Sequence, residues 1–431
     1  MAQLHHNFNT AQVKQYFTWY IGGTISRDDV CHQLGIKQSR FYELLKAYRA
    51  DPLTFSVAYG RDYANHKTDR TTTTAIRKEL ELEKSFIDNP NMPIMFYNYS
   101  STRDAIAEST GNNVTTQTVI NYAKKWGFYI ERPKNKNPHT RQVLTDAVGM
   151  LLQHDASLHQ WSPYAVKQDG SPLKWSLITT LDDHSRTLLF ADLFEHESSW
   201  AHIQSLKSVV IRYGVGVQYY SDNHAIFRYV ADRDKNGLSA ANYQRVLGTD
   251  DVAPQWKQCV EAAGMKVTYA LSPEAKGKTE RPYRWLQDRI VRRAAREHAH
   301  SIDAVRFILA QEVDRYNNRA VHSTTGEIPA IRFMHAVHDG RSCFRKLDIT
   351  KTHPPVTSTK DIFCLRTERK VNGYGKVSFD GVQISVPGNL AERTTVTLHV
   401  VPGKDVTEVR FLKDHTVLGY QQIETPKSLQ F

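Results

Sequence analysis

Three changes of pattern along the chain predict a multidomain protein: all-α helix-turn-helix units, then an α/β core, then a small all-β barrel. Up to about residue 130 the apolar residues recur at helical spacing, punctuated by glycine. From about residue 145, three strand-like segments precede alternating helix and strand, the pattern of a mixed sheet with helices on both faces. After about residue 350 short alternating segments lie between glycines, as in a small barrel.

Residues 10–50 read as three helices. Val13, Tyr16, Phe17, Tyr20 and Ile21 form the stripe of the first, which Gly22-Gly23 ends. Ser26 is the expected N-cap of the second, Gly35 the tight turn, and Ser39 to Tyr48 the third, with Phe41, Leu44, Leu45 and Tyr48 inward. Helix, short Gly-containing turn, helix is the helix-turn-helix pattern, and it leaves Lys37, Gln38 and Arg40 at the exposed start of a recognition helix. A plain three-helix bundle fits the same pattern. The pattern recurs: a helix from Ile76 to Ile87, a second capped by Ser100 or Ser101, a turn at Gly111-Asn112-Asn113, and Thr116 to Trp126 as a second candidate recognition helix. Gln117, Asn121, Lys124 and Lys125 point outward on it. The expected domains are 1–60 and 61–130, with a basic, proline-containing linker at 131–144.

In the core, expected to span 145–340, strands are predicted over 150–157, 175–181, 186–194, 215–221 and 265–270. Helices are predicted over 198–213, 255–263, 279–298 and 302–317. Residues 224–254 are long and polar and read as an insertion. The barrel is expected over 355–431.

The net charge of +11 favours a polyanionic partner, and nucleic acid is the leading one, because Lys and Arg neutralise backbone phosphates. No apolar run is long enough to span a bilayer and no secretory signal is visible, so a soluble, cytoplasmic protein with no membrane partner is expected. The cysteines, Cys31, Cys259, Cys343 and Cys364, are scattered without a C-x-x-C pair, which argues against a disulfide framework or a structural zinc site.

Three acids stand in distinctive settings. Asp155 lies within a mostly apolar strand, where an unpaired carboxylate is costly. Asp222 ends a strand, at the edge where α/β sheets gather active-site groups. Pro282 is tolerated in a first helical turn, which predicts a helix start near Thr279, with Thr279 as N-cap and Glu280 in the first turn, its ionised form favoured by the helix dipole. Tyr283, Leu286, Ile290 and Ala294 form the expected buried stripe, and Arg281, Arg284, Arg292 and Arg296 are expected to reach outward. Hard oxygen ligands of this kind can hold two Mg²⁺ ions for phosphoryl transfer if the fold gathers them. Glu274, in the approach loop, is the alternative third ligand. Asp182 and Asp183 compete less well, because they occupy the turn between two strands.

The ordered series Gln153-His154-Asp155, Leu181-Asp182-Asp183-His184-Ser185-Arg186, Ser221-Asp222-Asn223, Ser272-Pro273-Glu274 through Glu280-Arg281, and Tyr316-Asn317-Asn318-Arg319 resembles the retroviral-integrase-type DDE transposases of bacterial insertion sequences over roughly residues 145–335. The resemblance implies an RNase H-like fold, two Mg²⁺ or Mn²⁺ ions, and a triad that falls on Asp155, Asp222 and Glu280. It implies cleavage of element ends and joining of the 3′-OH to target DNA. It also implies double-stranded DNA partners, both terminal inverted repeats and target, a homo-oligomer on that DNA, and association with the bacterial nucleoid. Lys276, Lys278 and Arg281 are expected to hold DNA backbone near the third acid. The Asp222-to-Glu280 spacing is longer than the family pattern, and the 224–254 insertion accounts for it. The zinc module of retroviral integrases is missing, so zinc is not expected. A nuclease on the same fold, or a non-catalytic DNA-binding regulator, are the alternative functions.

Overall fold

The computed structural model describes residue 4 and residues 8–57, 68–131, 144–221, 254–270, 277–352 and 356–429, the side chains of 277–281 and 428 excepted. The chain divides into two compact units, Met1–Thr73 and Thr74–Phe431.

In the first unit, α1 (Thr10–Ile21), α2 (Arg27–Leu34) and α3 (Gln38–Ala50) enclose Val13, Phe17, Val30, Leu34, Phe41, Leu44, Leu45 and Phe55. Local signals set each boundary. Asn9 and Gln12 form a capping box on α1, and Ser26 and Asp29 form one on α2. Gly35, at φ 62°, turns the chain into α3 with no side chain to strain the left-handed conformation.

The boundary between the units falls within the first turn of α4 (Arg70–Asp88); in the second unit the rest of α4, α5 (Tyr99–Thr110) and α6 (Thr116–Trp126) share a core of Ile76, Leu80, Tyr97, Ile106, Val119 and Ala123. The cap of α5 is Asn98 rather than Ser100 or Ser101. Asn98 Oδ1 accepts from the Ser101 backbone N–H at 3.1 Å, and Ser101 is itself buried inside the first turn.

A five-stranded mixed sheet follows, made of β1 (Leu151–His159), β2 (Trp175–Asp182), β3 (Leu188–Phe194), β4 (Gln218–Ser221) and β5 (Lys266–Tyr269), in the order β3-β2-β1-β4-β5. The first three pair antiparallel, and β1-β4-β5 pair parallel. Between β3 and β5 run α7 (Ser199–Tyr213) and α8 (Gln255–Ala262). They cover one face, through Trp200, Ile203, Leu206, Trp256 and Val260. The other face is covered by α9 (Gly277–Arg296) and α10 (Ile302–Asn318), through Tyr283, Leu286, Ile290, Ile308 and Leu309 against Leu177, Leu181 and Leu193. A short α11 (Pro329–His338) follows. This is the predicted mixed sheet with helices on both faces.

The C-terminal region contains β6 (Leu365–Lys370), β7 (Lys376–Phe379), β8 (Val382–Ser385), β9 (Thr395–Val401), β10 (Val406–Lys413) and β11 (Thr416–Glu424). It is all-β, but the predicted barrel does not close among the described residues. An open sheet, β11-β10-β9-β6, faces a separate β7-β8 hairpin across a core of Val377, Phe379, Ile384, Val396, Leu398, Val409 and Phe411. The hairpin reaches β11 through one side-chain bond, Gln421 Nε2 to the Ser385 carbonyl at 2.8 Å, and through Pro387 packed where a Cβ on Gly419 would sit. No ladder joins β8 to β11 among the described residues. The sheet's opposite face meets the core around Asp361. Burial alone would raise this carboxyl's pKa, but hydrogen bonds from His399 and Arg410 outweigh that and hold it at about 2.

Candidate active site

Strand alternation gives β1 two chemically distinct faces. His154 faces α7 and α8. Its Nε2 meets His202 Nδ1 at 2.8 Å, its Nδ1 meets Thr180 Oγ1 at 2.9 Å, and its ring stacks on Trp256 at 5.1 Å. Asp155, its neighbour, faces the other way with Gln153 and Ser157, under α9. Its carboxylate is half-buried and accepts from the Ala156 N–H at 3.0 Å.

Two side chains pin α9 to that face. Gln287 Nε2 donates to Ser157 Oγ at 3.1 Å. Thr179, the cross-strand partner of Asp155, donates to Tyr283 Oη at 2.9 Å. Tyr283 and Gln287 lie one and two helical turns beyond Glu280. On the other side of β1, the parallel register pairs Gln153 with Tyr220, and β4 ends at Ser221. Asp222, Glu274 and Lys276 lie outside the described residues, as does the 224–254 insertion up to residue 253. The helix containing Lys278, Glu280 and Arg281 is described, but not their side chains.

Helix α9 departs from expectation at both ends. It begins at Gly277, so Thr279 is not its N-cap and Pro282 lies within the helix. Pro282 is the sixth helical residue, past the first turn, so it forgoes the bond an N–H there would make to the carbonyl four residues back. Tyr283, Leu286, Ile290 and Ala294 are buried as predicted, and Arg284 is exposed. Arg292 and Arg296 do not reach outward. Arg292 is 1% exposed and pairs with Glu83, and Arg296 pairs with Glu79 and Glu83. Isolated on a helix, such arginines look like a solvated face, and only partners far away in sequence reveal otherwise.

Asp182 and Asp183 are fully buried, not surface turn residues. Asp182 accepts from the Gly149 and Ser185 N–H groups, each at 2.8 Å, and from Ser185 Oγ at 2.6 Å. Burial still pushes its pKa up. Asp183 accepts from Gln153 and from Arg186 at 3.0 Å. Their oxygens serve the β2–β3 turn and its joint to β1, which is a structural role. Among the described residues, no group of three His, Cys, Asp or Glu is arranged to hold a metal ion, and no helix is long and apolar enough to cross a membrane. The donor chemistry of Asp155, a carboxylate with hard oxygens, suits Mg²⁺ or Mn²⁺ rather than a thiolate-loving metal.

No family model matches the chain. A putative transposase of Sinorhizobium fredii, y4bF, is 25% identical over 299 residues, which is 69% of this chain and 57% of that protein. The transposase for insertion sequence IS1202 of Streptococcus pneumoniae is 22% identical over 276 residues, covering 64% and 48%. The chain resembles insertion-sequence transposases. It spans about half the length of the curated relatives it matches. Among solved structures, the HTLV-2 integrase catalytic core domain in complex with magnesium matches at 13% identity and a TM-score of 0.29, over 45% of this chain and 99% of that one. A simian T-cell lymphotropic virus intasome structure matches at 13% identity and a TM-score of 0.33, over 75% and 92%.

In this transposase relative, the residues expected to meet DNA in the helical units are all exposed. Lys37 is the N-cap of α3 and Gln38 its first residue, while Arg40 pairs with Glu43 at 2.8 Å. On α6, Gln117 donates to Asn121 at 2.9 Å, and Lys124 stands over the Tyr129 ring at 4.7 Å.

Proposed function

We propose that the chain is a DNA transposase that cuts element ends and joins the freed 3′-OH to target DNA, with Asp155, Asp222 and Glu280 as its catalytic carboxylates on an RNase H-like core. One observation carries this reading: β1, which bears Asp155, runs parallel beside β4, which ends one residue before Asp222, and α9, which bears Glu280, lies over the Asp155 face. Asp155 and Asp222 each lie two residues beyond the paired Gln153 and Tyr220, so the parallel register carried forward would set them side by side. The N-terminal half of α9, with Glu280, is tied to the Asp155 face through Tyr283 and Gln287. The named activity of both curated relatives points the same way.

The carboxylates would hold two Mg²⁺ or Mn²⁺ ions, which when bound stabilise charge on the attacking and leaving oxygens of a phosphoryl transfer. In the first reaction a water oxygen bonds to phosphorus as the bond to the element's 3′-oxygen breaks, leaving a 3′-OH. In the second that hydroxyl bonds to a target phosphorus and the target's 3′-oxygen leaves. Each reaction makes one P–O bond and breaks one, so no further co-reactant is needed. Lys276, Lys278 and Arg281 would hold DNA backbone beside the third acid. The exposed starts of α3 and α6 would read the terminal repeats in the major groove, and the chain would work as an oligomer on DNA. The test is incubation of the purified chain with labelled element-end DNA, plasmid target and Mg²⁺. The expected result is both cutting and joining, abolished by chelation. Cutting alone would make it a nuclease, and binding alone a regulator.

A further inference from the structure

The helical block of α4, α5 and α6 is fastened to α9 by a seam of arginines that the function above leaves unexplained. Its apolar part is Phe86, Ile94, Val291 and Ala295, all buried. Around it buried and half-buried arginines pair with carboxylates of the block. Arg292, 1% exposed, joins Glu83, 0% exposed, the Phe96 carbonyl, and Asp288 at 3.0 Å. Arg296 joins Glu79, and Glu83 at 3.0 Å. Arg289 joins Asp104 at 2.7 Å and Ser100 Oγ at 3.2 Å. From α10, Arg315 joins Asp104 at 3.4 Å, and Glu108.

Apolar contact gives adhesion with little directional preference, whereas forked arginine–carboxylate bonds fix orientation. Here they act at separated points on two helices of each partner, which fixes translation and rotation together. The α6 recognition face belongs to the same block, through Ile76, Leu80, Ile106 and Val119. An unbroken packed path therefore runs from α6 to α9 and, through Tyr283, to the strand opposite Asp155.

We propose that this seam is a ruler. It holds the α6 face at a fixed offset from the Asp155 centre and so decides which phosphodiester is cut, with Arg289, Arg292, Arg296, Glu79, Glu83 and Asp104 as positioning residues. The inference rests on the transposase reading. Successive phosphates along one strand are offset by about 3.4 Å along the duplex axis, so a tilt that moves α6 by that amount along the axis moves the cut by one position. Close-packed interfaces tolerate far smaller displacements than that.

The test maps cut positions at nucleotide resolution on labelled element-end DNA, for the full-length chain and for Glu79→Gln with Asp104→Asn. Arg296→Lys, which keeps the charge and loses the fork, is a milder second variant should the double one fail to fold. The expected result is end binding within about threefold of wild type, with cuts spread from one phosphodiester to its neighbours. A purely structural role would lower stability or total yield and leave the position single. Sharp, unchanged cutting by folded variants overturns the ruler alone, as does loss of end binding by a folded variant. A wild-type chain that binds ends and cuts nowhere overturns the functional reading, and the ruler with it.

Discussion

Asp155→Asn and Asp222→Asn, made singly, are expected to abolish both cutting and joining while leaving end binding close to wild type. An amide keeps the size of the side chain and removes the negative charge, so the carboxylate's share of holding and neutralising the metal centre is lost. The loss should be on the order of 10³-fold or more, as for other groups positioned to stabilise transition-state charge. Binding should survive because the residues assigned to it lie on α3 and α6. The check is a paired measurement on each variant, gel-shift affinity for element-end DNA and product yield. Near-wild-type yield from either variant removes that residue from the proposed triad.

Glu280→Gln should be as damaging as the aspartate changes, and Glu274→Gln mild. The ranking comes from α9. Glu280 sits in its first turn, where the helix dipole favours a carboxylate, one turn before a tyrosine bonded to Thr179. Glu274 precedes the helix. The start of α9 at Gly277 leaves this ranking intact, because Glu280 is still within the first turn. Product yields of the two variants under identical conditions decide the matter. The reverse order would transfer the third position to Glu274.

What was legible in the sequence was whatever local chemistry determines. Ser26 and Gly35 set the boundaries of α2, strand-like apolar and aromatic runs located the core strands, and helical spacing located the buried Tyr283–Ala294 stripe. What was not legible depended on partners distant in the chain. Glu83 and Arg292 are 209 residues apart, so nothing near Arg292 marks it as buried. Asp182 and Asp183 have a turn's composition, and only the donors from Gly149, Gln153 and Arg186 reveal their burial. An all-β region was expected after the core, but the barrel does not close among the described residues, and the outer strands β6 and β11 were not foreseen. For the candidate site, Asp155's strand could be read from the residues. That α9 lies over the Asp155 face could not, since it depends on the Tyr283 and Gln287 bonds.

The most direct test of the central claim, that Asp155 is a metal ligand in a phosphoryl-transfer centre, is a change of metal preference. Asp155→Cys replaces a hard oxygen donor with a soft sulfur, which suits Mg²⁺ poorly. End cutting by this variant is measured in Mg²⁺ and in Mn²⁺, beside wild type and Asp155→Asn. The account predicts that the cysteine variant is inactive in Mg²⁺ and regains cutting in Mn²⁺, while Asp155→Asn stays inactive in both. Substantial Mg²⁺-supported cutting by Asp155→Cys, or the same Mn²⁺ response from Asp155→Asn, would contradict it.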